Sequence, residues 1–176
     1  MFSVAVVGHS LVPVTLDPIE GVTISIYRKP GATWLDYNCP AFRGMRENYF
    51  DLIIIILGGN DIAQVEASTA IARAKSFINR AQYQARFLRV FTAETRTFVN
   101  PRVFGVSNAI YTSRRNRYNR QLRRWMRSVG QLTVDIGRPW IIYNRSLDGV
   151  HLNETGRANL ARSITRTVWG VKLSAR

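Results

Sequence analysis

DLIIIILGGND, residues 51–61 of a 176-residue chain, sets six apolar side chains in a row, Leu52 to Leu57, and stops them abruptly at Gly58-Gly59-Asn60-Asp61. A run that is apolar at every position, rich in β-branched residues and this short reads as a strand covered on both faces, as at the centre of a parallel sheet. It is far too short to cross a bilayer. Ligands of open α/β sheets bind beyond the carboxyl ends of the strands, so the residues after the run lie where a site is expected. Asn60 offers a side-chain amide donor at that edge. The competing reading makes Asn60 or Asp61 the N-cap of a following helix.

Outward from this run, Ser3–Val7 (SVAVV) is a short apolar segment ending at Gly8-His9-Ser10, and Val22–Tyr27 (VTISIY) alternates before a loop turned at Pro30-Gly31. Arg86–Phe91 (RFLRVF) and Trp140–Tyr143 (WIIY) complete the strands, with Arg89 needing a partner or an edge position. Between them, Glu66–Ala81 carries Ile71, Ala74, Phe77, Ile78 and Ala81 at helical spacing. Ser113 is placed to cap a long helix with Tyr118, Leu122, Trp125, Met126 and Val129 on one side. Asn153 is placed to cap a last helix that buries Leu160, Ala161, Ile164 and Val168. Strands separated by helices predict an α/β fold, and the lack of repeats or Pro/Gly/Ser-rich linkers predicts one domain over 1–176. No GxGxxG or GxxxxGK[ST] follows any strand, which sets a nucleotide-binding domain aside.

The single Cys39 excludes an intramolecular disulfide framework, and with only His9 and His151 present no zinc site or other metal centre is expected. MFSVAVV lacks a basic n-region, so the start reads as a buried strand and an intracellular setting is expected. The charge balance is the compositional oddity: a net +14, with 25 basic residues of which all but Lys29, Lys75 and Lys172 are arginine. Such a surplus favours polyanions or anionic membranes as partners, or is simply a solvated basic surface. It concentrates on the helix after Ser113, where Arg114, Arg115, Arg117, Arg120, Arg123, Arg124 and Arg127 have no acid in the helix to offset their repulsion.

Chemistry enters with Ser10. A serine directly after a strand either caps the next helix or stands clear on a tight turn as a nucleophile. A nucleophilic serine needs a base. His9 adjoins Ser10 and would point away from it, whereas His151 follows a strand predicted to end at the same edge. Asp148, three residues upstream of His151, can fix the imidazole tautomer. The Ser10 N–H, the Gly31 N–H and the Asn60 amide are the available donors for a developing oxyanion.

In their order along the chain, Gly8-His9-Ser10, Gly31, Gly58-Gly59-Asn60-Asp61 and Asp148-Gly149-Val150-His151 resemble the four blocks of the SGNH, or GDSL-type, hydrolases. The resemblance implies a three-layer α/β/α fold of flavodoxin-like kind with a parallel sheet of about five strands. It implies Ser10 as nucleophile, His151 as base, Asp148 as its orienting partner, and Gly31 and Asn60 completing an oxyanion hole with the Ser10 N–H. The family hydrolyses esters, often acetyl or short acyl groups on sugars or lipids, without a metal or other cofactor. His9 departs from the family's usual Asp, which puts the turn's hydrogen bonds and local charge in question. Esterase domains of this type also occur in open reading frames of some retrotransposons, a setting that suits an arginine-rich chain. The alternative to an esterase is a scaffold of this kind that uses its arginine-rich helix to hold RNA or an anionic membrane.

Substrate walls are expected from the loops Leu11–Ile19, Trp34–Met45 and Phe98–Thr112. Trp34, Tyr37, Phe42 and Phe104 either line an acyl pocket or pack in the core.

Overall fold

The computed structural model describes residues 1–98, 102, 105–137 and 150–175, and in it the apolar run lies at the middle of a five-stranded parallel sheet. The strands are β1 (Phe2–Gly8), β2 (Val22–Arg28), β3 (Phe50–Ile56), β4 (Ala85–Phe91) and β5 (Leu132–Val134), in the order β2-β1-β3-β4-β5. Every side chain from Leu52 to Leu57 is at most 1% exposed. They alternate between two cores: Ile53 and Ile55 join Ala5 and Val7 on one face, while Leu52, Ile54 and Ile56 join Val4 and Val6 on the other. Each contributes about 1.5–3 kcal/mol by leaving water. At the amino end of the sheet Asp51 accepts from the Ser3 N–H at 2.8 Å while the Ser3 hydroxyl receives the Asp51 N–H at 3.0 Å, so β1 and β3 are locked in register.

Among the described residues the sheet is accompanied by the helices α1 (Arg43–Glu47), α2 (Gly59–Gln64), α3 (Ala67–Ala81), α4 (Asn108–Ser128) and α5 (Glu154–Ser174). Ala70, Ile71, Ala74, Phe77 and Ile78 of α3, with Tyr111, Tyr118, Leu122 and Met126 of α4, cover the first face. Leu160, Ile164, Val168 and Val171 of α5 cover the second. The result is the three-layer α/β/α arrangement expected from the resemblance.

The long helix begins earlier than Ser113: Ser107 is its cap, with the hydroxyl accepting from the Ile110 N–H at 3.2 Å, and Ser113 sits exposed within the helix. The earlier start turns Tyr111 onto the core and leaves Val129 beyond the last turn, 43% exposed. Of the two readings of Trp34, Tyr37 and Phe42, the structure shows packing in the core, where all three are buried. They pack edge-on against the Phe77 ring at centroid distances of 5.1, 5.0 and 6.2 Å, because this segment carries two 3-10 turns that fold back onto α3. The fifth described strand is Leu132–Val134, three residues too short to leave a periodic signal; Trp140–Tyr143 and Phe104 lie outside the described residues. Arg89 is not at an edge, since β4 pairs on both sides, and its guanidinium donates to the Leu88 carbonyl at 2.8 Å.

Candidate active site

Gly8 pairs with Arg28 on one side and with Ile56 on the other, so three strands end in one row. Immediately beyond that row the chain turns, with the His9 N–H donating to the Ile56 carbonyl at 3.1 Å. Ser10 follows on this turn. No helix begins until Trp34, which removes the helix-cap reading of Ser10. The Arg28 guanidinium reaches across from β2 and donates to the Ser10 carbonyl at 3.1 Å and to the Val12 carbonyl at 2.9 Å, holding the turn from outside. Gly31 adopts φ +76, in the region that favours glycine, with open space where a side chain would stand. Among the described residues neither the Ser10 N–H nor the Gly31 N–H donates to a protein acceptor.

The GGND block grips the Gly31 loop. Helix α2 is capped by Gly58, with no side-chain cap bond, so Asn60 and Asp61 lie in its first turn rather than serving as the cap. The Asn60 amide donates to the Ala32 carbonyl at 2.9 Å. Asp61 accepts from the Trp34 N–H at 3.2 Å through both oxygens. Two successive side chains therefore fix the backbone on the far side of Gly31. Burial pushes the Asp61 carboxyl up from 3.8 to about 7, against the opposing pull of the Trp34 N–H and the Arg73 guanidinium 3.5 Å away.

His9, the departure from the family pattern, is fully enclosed and has a partner to match. Its Nδ1 accepts from the Leu11 N–H at 3.2 Å, which in the neutral ring leaves the proton on Nε2, facing Glu94 Oε1 at 3.6 Å. Glu94 lies just past β4, also buried, and receives both Nε and one Nη of Arg96. Burial alone would raise the Glu94 carboxyl, but the Arg96 guanidinium and His9 hold it well below the usual carboxylate range. Arg96 also donates to the Asn60 side-chain oxygen at 3.1 Å. Gly59 is required here because a Cβ at that position would run into the Glu94 carboxylate. Sequence reading passed over Glu94 and Arg96; the available signal was a pair of opposite charges just after the carboxyl end of β4, the edge where sites form.

His151 arrives from the other end of the chain. It precedes Leu152, buried in the second core, and Asn153, whose side chain accepts from the Gly156 N–H at 2.9 Å and caps α5. His151 and Ser10 line one cleft of about 220 Å³ together with Leu11, Val12, Pro13, Val14, Arg28, Leu152 and Arg157. Of the Leu11–Ile19 loop, Leu11 to Val14 line this cleft. Asp148 lies outside the described residues.

The arginine-rich helix is less uniform than its sequence suggests. Arg115 is buried, Arg114 donates to the Ile62 carbonyl at 3.1 Å, and Arg123 meets Asp135 from the segment after β5 at 3.4 Å. An acid therefore does oppose this helix, supplied by a different segment. Arg117, Arg120, Arg124 and Arg127 remain as an exposed stripe.

The sequence matches the GDSL-like Lipase/Acylhydrolase family over residues 19–158, a span that includes Gly31, Asn60, Asp148 and His151 and begins after Ser10. A comparison with curated proteins finds no match. Among solved structures, the chain is similar to the native M. smegmatis aryl esterase (TM-score 0.74, 14% identity, covering 97% of this chain and 100% of that one). It is also similar to the lipase/acylhydrolase from Enterococcus faecalis (0.73, 15%, 97% and 96%). A carbohydrate acetylesterase from Sinorhizobium meliloti aligns as well (0.69, 16%, 97% and 100%). At such identities the structures speak for the fold, and the family rests on the sequence match: this chain belongs to the GDSL-like lipase/acylhydrolases, ester hydrolases of the SGNH type.

Proposed function

We propose that the chain is a serine esterase acting on acetyl and other short-chain carboxylic esters of carbohydrate or lipid alcohols. Ser10 Oγ attacks the ester carbonyl while His151 takes its proton. The tetrahedral oxyanion is received by the Ser10 and Gly31 N–H groups and the Asn60 amide. Collapse breaks the bond to the alcohol oxygen, which leaves with the proton from His151. Water activated by the same imidazole then releases the acid and regenerates Ser10. Asp148 orients His151 in this scheme, on the strength of the family pattern.

The observation that carries the proposal is that Ser10 and His151, contributed by opposite ends of the chain, line the same cleft. The Ser10 and Gly31 N–H groups, which donate to no protein acceptor among the described residues, support the oxyanion assignment. A fluorophosphonate probe is expected to add one label at Ser10, read by intact mass, and p-nitrophenyl acetate is expected to be turned over faster than the octanoate. Absence of both labelling and turnover would refute the esterase assignment.

The exposed stripe Arg117, Arg120, Arg124 and Arg127 supports a second, compatible role in holding RNA. Four phosphate contacts predict a log–log salt slope near about −3 on single strands. Arg117→Glu with Arg124→Glu is expected to flatten that slope in a filter-binding titration. An unchanged slope would remove the helix from consideration.

A further inference from the structure

The cleft beside Ser10 and His151 carries more charge than an ester carbonyl requires. Arg28 and Arg157 both line it, and each guanidinium is fixed by backbone carbonyls, Arg28 by those of Ser10 and Val12 and Arg157 by that of Leu152 at 2.9 Å. Carbonyls orient a guanidinium without neutralising it. Among the described residues neither arginine is ion-paired with a carboxylate. Neighbouring Lys29, by contrast, is matched by Asp36 at 3.1 Å, and Glu154, one turn before Arg157 on α5, does not pair with it. No Asp or Glu lines the cleft among the described residues; the rest of its wall is Leu11, Val12, Pro13, Val14 and Leu152.

The position of the charge indicates which half of the ester meets it. In acyl transfer the histidine hands its proton to the departing alcohol, so the alcohol lies on the histidine's side of the scissile bond. Arg157 shares that side, reaching the cleft from the helix that begins just after His151. Gly31 and Asn60, the proposed oxyanion donors, do not line the cleft.

We infer that this site selects esters whose alcohol half carries a carboxylate, sulfate or phosphate, with Arg157 and Arg28 as the specificity-determining residues. The inference rests on the esterase reading and narrows its substrate class to short-chain esters of anionic alcohols. A guanidinium of fixed position meeting an anion makes a charge-assisted hydrogen bond, which corresponds to about tenfold or more in kcat/KM.

The test compares 4-acetoxybenzoate with 4-acetoxybenzamide, two acetyl esters of similar shape that differ in charge, each normalised to its own hydroxide-catalysed rate. Wild type is expected to prefer the benzoate by about tenfold or more, and the preference is expected to shrink in ~1 M salt. Arg157→Gln should bring the ratio close to unity and Arg157→Lys should restore part of it. Arg157 is exposed, so the substitution leaves the core untouched. Equal normalised rates in wild type, or a preference that survives Arg157→Gln, would overturn the inference while leaving the esterase intact. If neither ester is hydrolysed in a Ser10-dependent way, the esterase reading falls and takes this inference with it.

Discussion

Ser10→Ala and His151→Ala are each expected to lower kcat for p-nitrophenyl acetate by about 10⁴-fold or more, with the double variant no slower than the worse single one. The two side chains make one nucleophile between them: without the imidazole the hydroxyl keeps its proton, and without the hydroxyl the imidazole has nothing to activate. KM should move little, because the walls of the cleft are mostly the apolar Leu11, Val12, Pro13, Val14 and Leu152. Single-turnover and steady-state rates on the four proteins provide the check. Multiplying losses in the double variant would mean that Ser10 and His151 act independently, and the proposed pair would be wrong.

Glu94→Ala is expected to cost about 3–5 kcal/mol, because it breaks the buried ion pair with the Arg96 guanidinium, 5% exposed, by removing one partner. Against a typical total of about 5–15 kcal/mol this is a large fraction. For a domain of this size it corresponds to a fall in Tm of roughly 6–20 °C. The same carboxylate gives stability a pH dependence. Its folded-state pKa is depressed below 4.5, so the contribution is present above that value and is lost as pH falls through the folded pKa. Asp61 acts in the opposite sense. Its carboxyl titrates near 7 in the fold against 3.8 ordinarily, so the folded chain binds the extra proton and stability declines as pH rises between those values. Urea titrations from pH 3 to 8 are expected to show Glu94→Gln with a weaker acid-side loss and Asp61→Asn without the decline toward neutrality. Profiles parallel to wild type would show that neither group is coupled to folding.

The strands carrying the site were readable because their environment is uniform. Leu52 to Leu57 is buried on both faces, so every position is apolar and the period vanishes in a way few other structures produce. The helices were readable in their middles and misjudged at an end, since Ser107 and Ser113 are equally competent caps locally and only the packing of Tyr111 chooses between them. Three blocks of the candidate site were legible because Gly8-His9-Ser10, Gly31 and Gly58-Gly59-Asn60-Asp61 each come at or shortly after the end of a strand. The site's electrostatics were not. Glu94, Arg96 and Asp135 act on His9, Asn60 and Arg123 from other segments, with Asn60 and Arg96 36 residues apart and Arg123 and Asp135 12 apart, and no local pattern announces such meetings. His9 illustrates this: read alone it is an exception to the family, and read with Glu94 it is half of a buried acid–base pair.

The strand order has a kinetic side. Phe2 pairs with Val22, Val4 with Leu52, Phe50 with Ala85 and Arg89 with Leu132, so every ladder closes a long loop before it returns any stabilisation. Folding is thereby limited by the search for distant partners rather than by local helix growth, which places it toward the millisecond-to-second end of the range. The shortest closure joins β1 to β2, and β1 alone connects β2 to the rest of the sheet. Until Phe2–Gly8 has been seated, the turn bearing Ser10, the loop bearing Gly31 and the block bearing Asn60 have no common ladder to bring them together.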